Sequence, residues 1–405
     1  MFWGLRKAAF RANQAVMRLL ANILKFREPE LLTGAGSLRE LPRLIRSRGI
    51  DNVLIVTDKV LMKLGILDGL LEAMEENGIA YVIYDEVQPN PTVGNIEAAC
   101  KLYLGGNCRG IVAFGGGSPI DCAKAAAARV TNRSMTVRQM KGVLKVRKPL
   151  PPLFAVPTTA GTGSETTLAA VVTDPETHEK FVIMDIKLIP LAAVLDPELT
   201  IGLPPHITST TGMDALTHAV EAYIGRSGTA YTDRNAEEAV KIIFENLEKV
   251  YKEGNDIEAR GQMLLASYKA GNAFTRAYVG YVHAIAHTLG GLYGIPHGLG
   301  NAVVLPYILD FYGKSISVKL AKLAVTAGIG SDTEPVEHLA EKFISSIKTM
   351  NANMNIPAGF RELEENDIPI IVQRVLKEGN PGYPVPRIMN NNECTEIVKK
   401  LLIKS

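Results

Sequence analysis

The sequence predicts an α/β domain built on a doubly wound, mostly parallel sheet, followed by an all-α domain. Two observations carry this expectation. Up to about residue 200, short apolar runs of strand length alternate with helical stretches, and such alternation implies parallel pairing. After Leu203 the apolar period becomes 3.6, in AEEAVKIIFENLEKVYK, EARGQMLLASYKAGNAF, SISVKLAKLAV and VEHLAEKFISSIKTM, and strand-like runs stop. The chain of 405 residues suits two domains, each large enough to bury a core. The expected division is an arm at 1–28, an α/β domain at 29–203 and a helical domain at 204–405, with the boundary near 201–205.

Composition narrows the function. With 47% hydrophobic and 21% charged residues the chain reads as an ordinary soluble globular protein. A net charge of +2, and no long Lys/Arg run past the first thirty residues, give no support for a nucleic-acid partner. Cys100, Cys108, Cys122 and Cys394 form no Cys-x-x-Cys pair and sit in or beside apolar segments, which suits reduced thiols and a cytoplasmic location.

The arm, MFWGLRKAAFRANQAVMRLLANILK, holds Arg6, Lys7, Arg11, Arg18 and Lys25 and no acid. Leu5, Ala9, Ala12, Val16, Leu20 and Ile23 fall along one helical stripe. Charges interrupt the stripe too often for a membrane span, and no small-residue cleavage site follows a clean apolar core. Three readings remain: a helix packed on the body or on another subunit, peripheral membrane contact through residues 1–25, and an organelle transit peptide.

Strand, turn and helix are expected after Pro29, then a strand at NVLIVTD, a helix, and a strand at AYVIYDEV. GIVAF is a further strand and runs straight into GGGSPIDCAKAAAARV. Glycines at 115–117 would let a backbone approach a phosphate closely, and the following helix start offers free amides. A tight strand-to-helix connection explains the same run equally well, and it is neither G-x-G-x-x-G nor a Walker A loop. LFAVPTTAGTGSETT is a second strand ending in small and hydroxyl-bearing residues, of which Thr158, Thr159, Thr162 and Ser164 can donate to phosphate or ribose oxygens. Two such loops on neighbouring strand ends would form a dinucleotide cleft. Asp58, at an earlier strand end, is placed to accept from ribose hydroxyls or, on spacing alone the better reading, to cap the next helix.

The helical domain carries the metal-ligand pattern. In TGMDALTHAVEAYIG, Asp214 and His218 stand four apart and share a helix face; His283 and His287 repeat the spacing in GYVHAIAHTLGGLYGIPHGLGNA, and His297 follows a Gly-Pro turn. A single Asp-x-x-x-His pair is ordinarily a cap and a solvated histidine. Two pairs plus His297 in apolar, Gly-rich surroundings, where charge is costly unless paired or ligated, point to a metal. Imidazoles with one carboxylate suit iron or zinc and suit calcium or magnesium poorly. His206 and His178 read as loop residues.

The blocks GGGSPIDCAK, AVPTTAGTGSE, GMDALTHAVEAY and HAIAHTLGGLYGIPHGLGNAVVLP, in this order, closely resemble those of the iron-containing (group III) alcohol dehydrogenases, from about residue 29 to the end. The resemblance implies a dehydroquinate synthase-like fold with an N-terminal nucleotide-binding domain, a C-terminal helical domain, and a homodimer. It implies Fe2+ (with Zn2+ as the alternative) on Asp214, His218, His283 and His297, and His287 close to nicotinamide and substrate. Cofactor contacts fall on Asp58, Asn90, Gly116, Gly117, Ser118, Asp121, Thr158, Thr159 and Lys180, and aspartate at 58 matches the pattern that prefers NAD over NADP. Phe274 matches an aromatic of the substrate pocket. Ala169 stands where some diol-specific relatives have asparagine, which speaks against a lactaldehyde or propanediol substrate.

These parts imply an NAD-linked oxidoreductase for small primary alcohols and aldehydes: the metal polarises the substrate oxygen, hydride passes to or from nicotinamide, and His287 relays a proton. One rival is a dehydroquinate synthase-like lyase, which would offer glutamate in place of Asp214 and a basic cluster not found here. Another is a hydroxyacid-oxoacid transhydrogenase, which needs a cation such as Arg276 in the pocket.

Overall fold

The computed structural model describes residues 2–176 and 179–403. Its strands are β1 (Glu30–Thr33), β2 (Asn52–Val56), β3 (Ala80–Tyr84), β4 (Gly110–Gly115), β5 (Gly142–Val143), β6 (Leu153–Pro157), β7 (Ala169–Asp174), β8 (Glu179–Met184) and β9 (Ala192–Leu195). Among them run α1 (Phe2–Ile23), α2 (Leu41–Ser47), α3 (Lys59–Lys63), α4 (Asp68–Glu76), α5 (Val93–Gly105) and α6 (Gly117–Thr131). Beyond them come α7 (Pro205–Ile224), α8 (Ala230–Lys252), α9 (Ile257–Ala277), α10 (Tyr281–Tyr293) and α11 (His297–Tyr312). The chain closes with α12 (Ser317–Thr326), α13 (Val336–Asn353), α14 (Ile368–Gly379) and α15 (Asn391–Lys400).

One compact unit comprises Lys25–Leu203 and residues 255–268. Its six-stranded sheet has the order β1-β9-β6-β4-β2-β3, and every pairing in it is parallel. Alternate residues of a strand face opposite sides. Leu54, Val56, Ile111, Ala113, Leu153 and Ala155 pack into one buried cluster, while Val53, Ile55, Val112, Phe114, Phe154 and Val156 pack into the other. Helices therefore cover both faces, which is why these strands read as continuous apolar runs. A three-stranded sheet, β5-β8-β7, in which β7 and β8 are antiparallel, lies outside this pattern. The expected doubly wound sheet is the one observed.

The other unit comprises residues 2–24, Pro204–Gly254 and residues 269–403, and its described secondary structure is helical apart from the isolated bridge between Phe360 and Leu402. From Gly212 to Ile224, α7 is buried all round, as expected of a helix with apolar residues on every side. His206, expected in a loop, belongs to the first turn of α7, because Pro205 occupies a first-turn position where its missing N–H costs nothing. His178 lies outside the described residues.

Candidate metal centre and cofactor loops

Three helices of the helical unit bring the proposed ligands together. Asp214, His218 and Glu221 lie on consecutive turns of α7, His283 and His287 on α10, and His297 opens α11. Close approach of α11 to α7 depends on Gly298, where a Cβ would stand 2.5 Å from the Thr210 carbonyl oxygen. One donor atom each from Asp214, His218, His283 and His297 falls within 4.8 Å of the others. Two donors on opposite sides of an ion at about 2.1 Å stand about 4.2 Å apart, so one ion reaches all four with small adjustments. Asp214, His218 and His283 are buried, and His297 is partly exposed. The donor set is that of iron or zinc.

Electrostatics point the same way. Burial raises the Asp214 carboxyl above its ordinary range, with His218 and Asn301 opposing that shift. His283 is held well below the ordinary imidazole value by burial, then by the neighbouring His218, His297 and His287. A buried carboxylate beside an imidazole that resists protonation, with two further imidazoles converging on it, is a set of lone pairs awaiting a cation.

Several residues beyond the expected ligands complete the cluster. Glu221 accepts from His283 Nδ1 at 2.6 Å and from the backbone N–H groups of Gly280 and Val282, each at 2.8 Å. This fixes the His283 tautomer and leaves Nε2 as the donor to a metal. Asn301, one turn after His297, stands with Nδ2 at 2.6 Å from Asp214 Oδ1 and 3.2 Å from the Nε2 atoms of both His283 and His297. His287 stacks on His297 with ring centroids 5.1 Å apart and sets Nδ1 2.7 Å from Glu378 Oε1, which also accepts from the Tyr383 hydroxyl at 2.7 Å. Burial alone would raise Glu378, but His287 and the hydrogen bonds outweigh it and leave this carboxyl below its ordinary value. Phe274 stacks on His218 at 4.1 Å and 13°. Arg276 lies over the Tyr231 ring at 4.2 Å and donates to the Asn272 carbonyl at 3.2 Å.

In the sheet unit, the two polar loops meet. Gly115 has φ +145, and a Cβ there would stand 2.6 Å from Pro119 Cγ, so glycine is required where β4 turns into α6. Gly116 faces the Thr159 hydroxyl, and a Cβ on Gly117 would press to 3.1 Å from the Thr162 methyl. Thr158 N–H donates to the Gly115 carbonyl at 3.1 Å. Lys124, fully buried, stitches the loops with bonds to Thr167 Oγ1 at 2.7 Å and to the carbonyls of Thr167 and Ala169 at 2.9 and 3.0 Å. Asp121 binds Ser164 Oγ at 2.7 Å and Val171 N–H at 3.0 Å, so both of its oxygens serve the loop. Lys180 Nζ donates to Asn90 Oδ1 at 2.7 Å, and Asn90 N–H donates to Ser118 Oγ at 3.1 Å. Asp58 caps α3, accepting from the N–H groups of Val60 and Leu61 at 2.9 and 3.0 Å, both on Oδ1. Capping on one oxygen is compatible with a ribose contact on the other.

Comparison with known proteins agrees with this arrangement. Residues 29–197 match the family description "Iron-containing alcohol dehydrogenase", and residues 208–402 match "Fe-containing alcohol dehydrogenase family, C-terminal". Alcohol dehydrogenase 4 of Schizosaccharomyces pombe is 40% identical over 361 residues, covering 87% of this chain and 84% of the relative. NAD-dependent methanol dehydrogenase of Bacillus methanolicus is 35% identical over 379 residues, 93% of this chain and 99% of the relative. A crystal structure of 1,3-propanediol oxidoreductase superposes with a TM-score of 0.90 at 37% identity, covering 94% of this chain and all of that one.

Proposed function

This chain belongs to the iron-containing alcohol dehydrogenases, and on that premise we propose that Asp214, His218, His283 and His297 hold the metal of an NAD(H)-linked alcohol dehydrogenase and aldehyde reductase. The reaction interconverts a small primary alcohol and its aldehyde. When bound, the divalent metal supplies a Lewis acid for the substrate oxygen and NAD supplies the hydride acceptor or donor. The observation that carries the assignment is the convergence of three imidazoles and one carboxylate within 4.8 Å inside an apolar helical body.

The remaining tasks fall to side chains. Glu221 keeps His283 Nε2 free for the metal. Phe274, flat against His218, walls the site with an apolar ring and favours an aliphatic substrate. His287 commits Nδ1 to Glu378 and so presents Nε2, which takes the proton from the alcohol during oxidation and returns it during reduction, directly or through one water. Asp58, Asn90, Gly116, Gly117, Ser118, Asp121, Thr158, Thr159 and Lys180 form the NAD site in this reading. Asp121 acts there by holding the second loop in place.

The same proposal includes a homodimer, which rests on the family resemblance alone, and a cytoplasmic location, which four free, buried cysteines support. No described helix is long and apolar enough to cross a membrane. Leu5, Val16, Leu19 and Ile23 on α1 are exposed among basic residues, which supports peripheral contact with anionic lipid. Co-sedimentation with anionic vesicles, lost on deleting residues 1–25, tests that point.

Metal-free protein reconstituted anaerobically with Fe2+ or Zn2+ tests the main reading through NADH absorbance with a panel of aldehydes. Metal-dependent NADH oxidation is expected. Tight binding of metal and NAD without turnover on any aldehyde would transfer the assignment to the transhydrogenase or the lyase. The Arg276 geometry disfavours the transhydrogenase, since its guanidinium is engaged with Tyr231 and Asn272.

A further inference from the structure

The arm lies outside the family pattern, yet Arg11 and Gln14 of α1 make hydrogen bonds to the segment that serves His287. Gln14, buried at 6% exposure, donates Nε2 to the Tyr383 carbonyl at 2.7 Å. Arg11 donates to the Val385 carbonyl at 2.6 Å and the Pro386 carbonyl at 2.8 Å, and its NH1 also reaches Gln14 Oε1 at 2.7 Å. The carbonyl between them, at Pro384, accepts from the Arg226 N–H at 2.8 Å. Four successive carbonyls, at 383–386, are thus held, three of them by α1. The guanidinium and carboxamide also satisfy each other, so the pair acts as one rigid clamp.

The clamped segment follows α14 directly and carries Tyr383, whose hydroxyl donates to Glu378 Oε1. That oxygen is the one 2.7 Å from His287 Nδ1. A continuous line therefore runs from α1 through Tyr383 and Glu378 to the imidazole next to the metal ligands. Without Tyr383, the Glu378 carboxylate loses one of its two partners on Oε1. The His287 ring then loses the fixed acceptor that sets its tautomer.

We propose that α1 is a positioning element of the active site, acting through Gln14 and Arg11 on Tyr383 and so on the Glu378–His287 pair. The proposal rests on the reading of His287 as the proton relay. In this account the arm sets turnover without touching substrate, metal or NAD, and its apolar outer stripe stays available on the opposite face. Helices in proteins draw most of their stability from tertiary contacts, so the clamp also holds α1 against the body.

The test is a double-mutant cycle on the full-length, iron-loaded enzyme. Gln14→Leu, Arg11→Ala and deletion of residues 2–24 are each measured in the wild-type and the Tyr383→Phe background, with iron content and melting temperature recorded. In the wild-type background, kcat is expected to fall about three- to tenfold, the range of one lost hydrogen bond, with KM for NAD and iron content unchanged. In the Tyr383→Phe background the arm variants are expected to cost nothing further. Hydrogen exchange of the metal-free protein gives a readout independent of turnover: amides at 379–389 should exchange faster in Gln14→Leu. Unchanged kcat and exchange, losses that multiply fully with Tyr383→Phe, or losses that track iron content each overturn the proposal. His287→Ala is the separate control. If it leaves kcat intact, the relay reading fails whatever the arm does; if it lowers kcat while the arm variants do not, only the arm proposal fails.

Discussion

Glu221 Oε2 and His283 Nδ1 stand 2.6 Å apart, both buried, so that a carboxylate on α7 fixes the orientation of an imidazole on α10. Burial raises Glu221 to about 7, against the pull of the Gly280 and Val282 N–H groups. Three donors aimed at one carboxylate leave His283 no freedom to present Nδ1 to the metal. Removing the carboxylate should therefore weaken metal binding without deleting a ligand. Glu221→Gln is expected to lower iron affinity about 10- to 100-fold. Chelator competition would measure it, and an unchanged dissociation constant would reduce Glu221 to a structural carboxylate.

The four-donor cluster also predicts a stability link. A metal that binds the folded chain and not the unfolded one adds about 2.7 kcal/mol at a hundredfold excess over its dissociation constant. Calorimetry should show a melting temperature that rises with added Fe2+ or Zn2+ in the wild type. His283→Ala should lack that rise, and chelation of the wild type should bring the two curves together. A rise of equal size in the variant would place the metal elsewhere.

Sequence spacing made the candidate metal cluster legible because residues four apart on a helix share a face, and Asp214–His218 and the pairing of His283 with the neighbouring His287 both use that rule. Glu221 obeys the same geometry, three residues after His218, but a glutamate in AVEAY reads as a surface charge until its partner, 62 residues later, is known. Glu378 is harder still: VLKEGNP looks like a solvated helix end, and only the fold brings it to His287, 91 residues back. The parallel sheet was legible because strands buried on both faces are apolar throughout. The three-stranded sheet of β5, β7 and β8 was not, because β5 has two residues and β7 alternates buried and half-buried positions. Asp58 illustrates one residue with two readings, and the cap reading is the one visible in the fold.

A pH prediction comes from the loops of the sheet unit. Glu165 is buried, its Oε2 has no hydrogen-bond partner, and burial raises its carboxyl from an ordinary 4.5 to about 7, with a backbone hydrogen bond and Lys124 opposing. Between those two values the folded chain binds a proton that the unfolded chain has released. The stabilisation is thus complete below 4.5 and is lost as pH rises through about 7. Glu165→Gln removes the titration, so it should match the wild type in acid and exceed it by about 1–3 kcal/mol above neutrality. Burial lowers Lys124 itself to about 8, with Asp121 a stronger opposing charge than Glu165. Melting curves from acid to mildly alkaline pH decide the matter: parallel pH profiles for the two proteins would show that Glu165 does not titrate in this window.

Phe274 offers a test of substrate choice that leaves the metal intact. Its ring covers His218 at a centroid distance of 4.1 Å and is itself only partly buried, so one face touches a ligand while the rest remains open beside the site. Trimming it to alanine takes away apolar surface next to the metal and makes room for a bulkier chain. Each methylene accommodated in an apolar pocket is worth about 1–3 kcal/mol in kcat/KM. Phe274→Ala should therefore shift the preference from short towards longer or branched aldehydes by about tenfold, mostly by losing activity on the short ones. Iron content should stay at the wild-type level, because no donor atom is removed. Competition between two aldehydes in one cuvette, with products separated by chromatography, reads the ratio directly. A ratio equal to that of the wild type would mean that the substrate lies away from this ring, and the aliphatic pocket would then have to be sought on the His287 side of the ligand cluster.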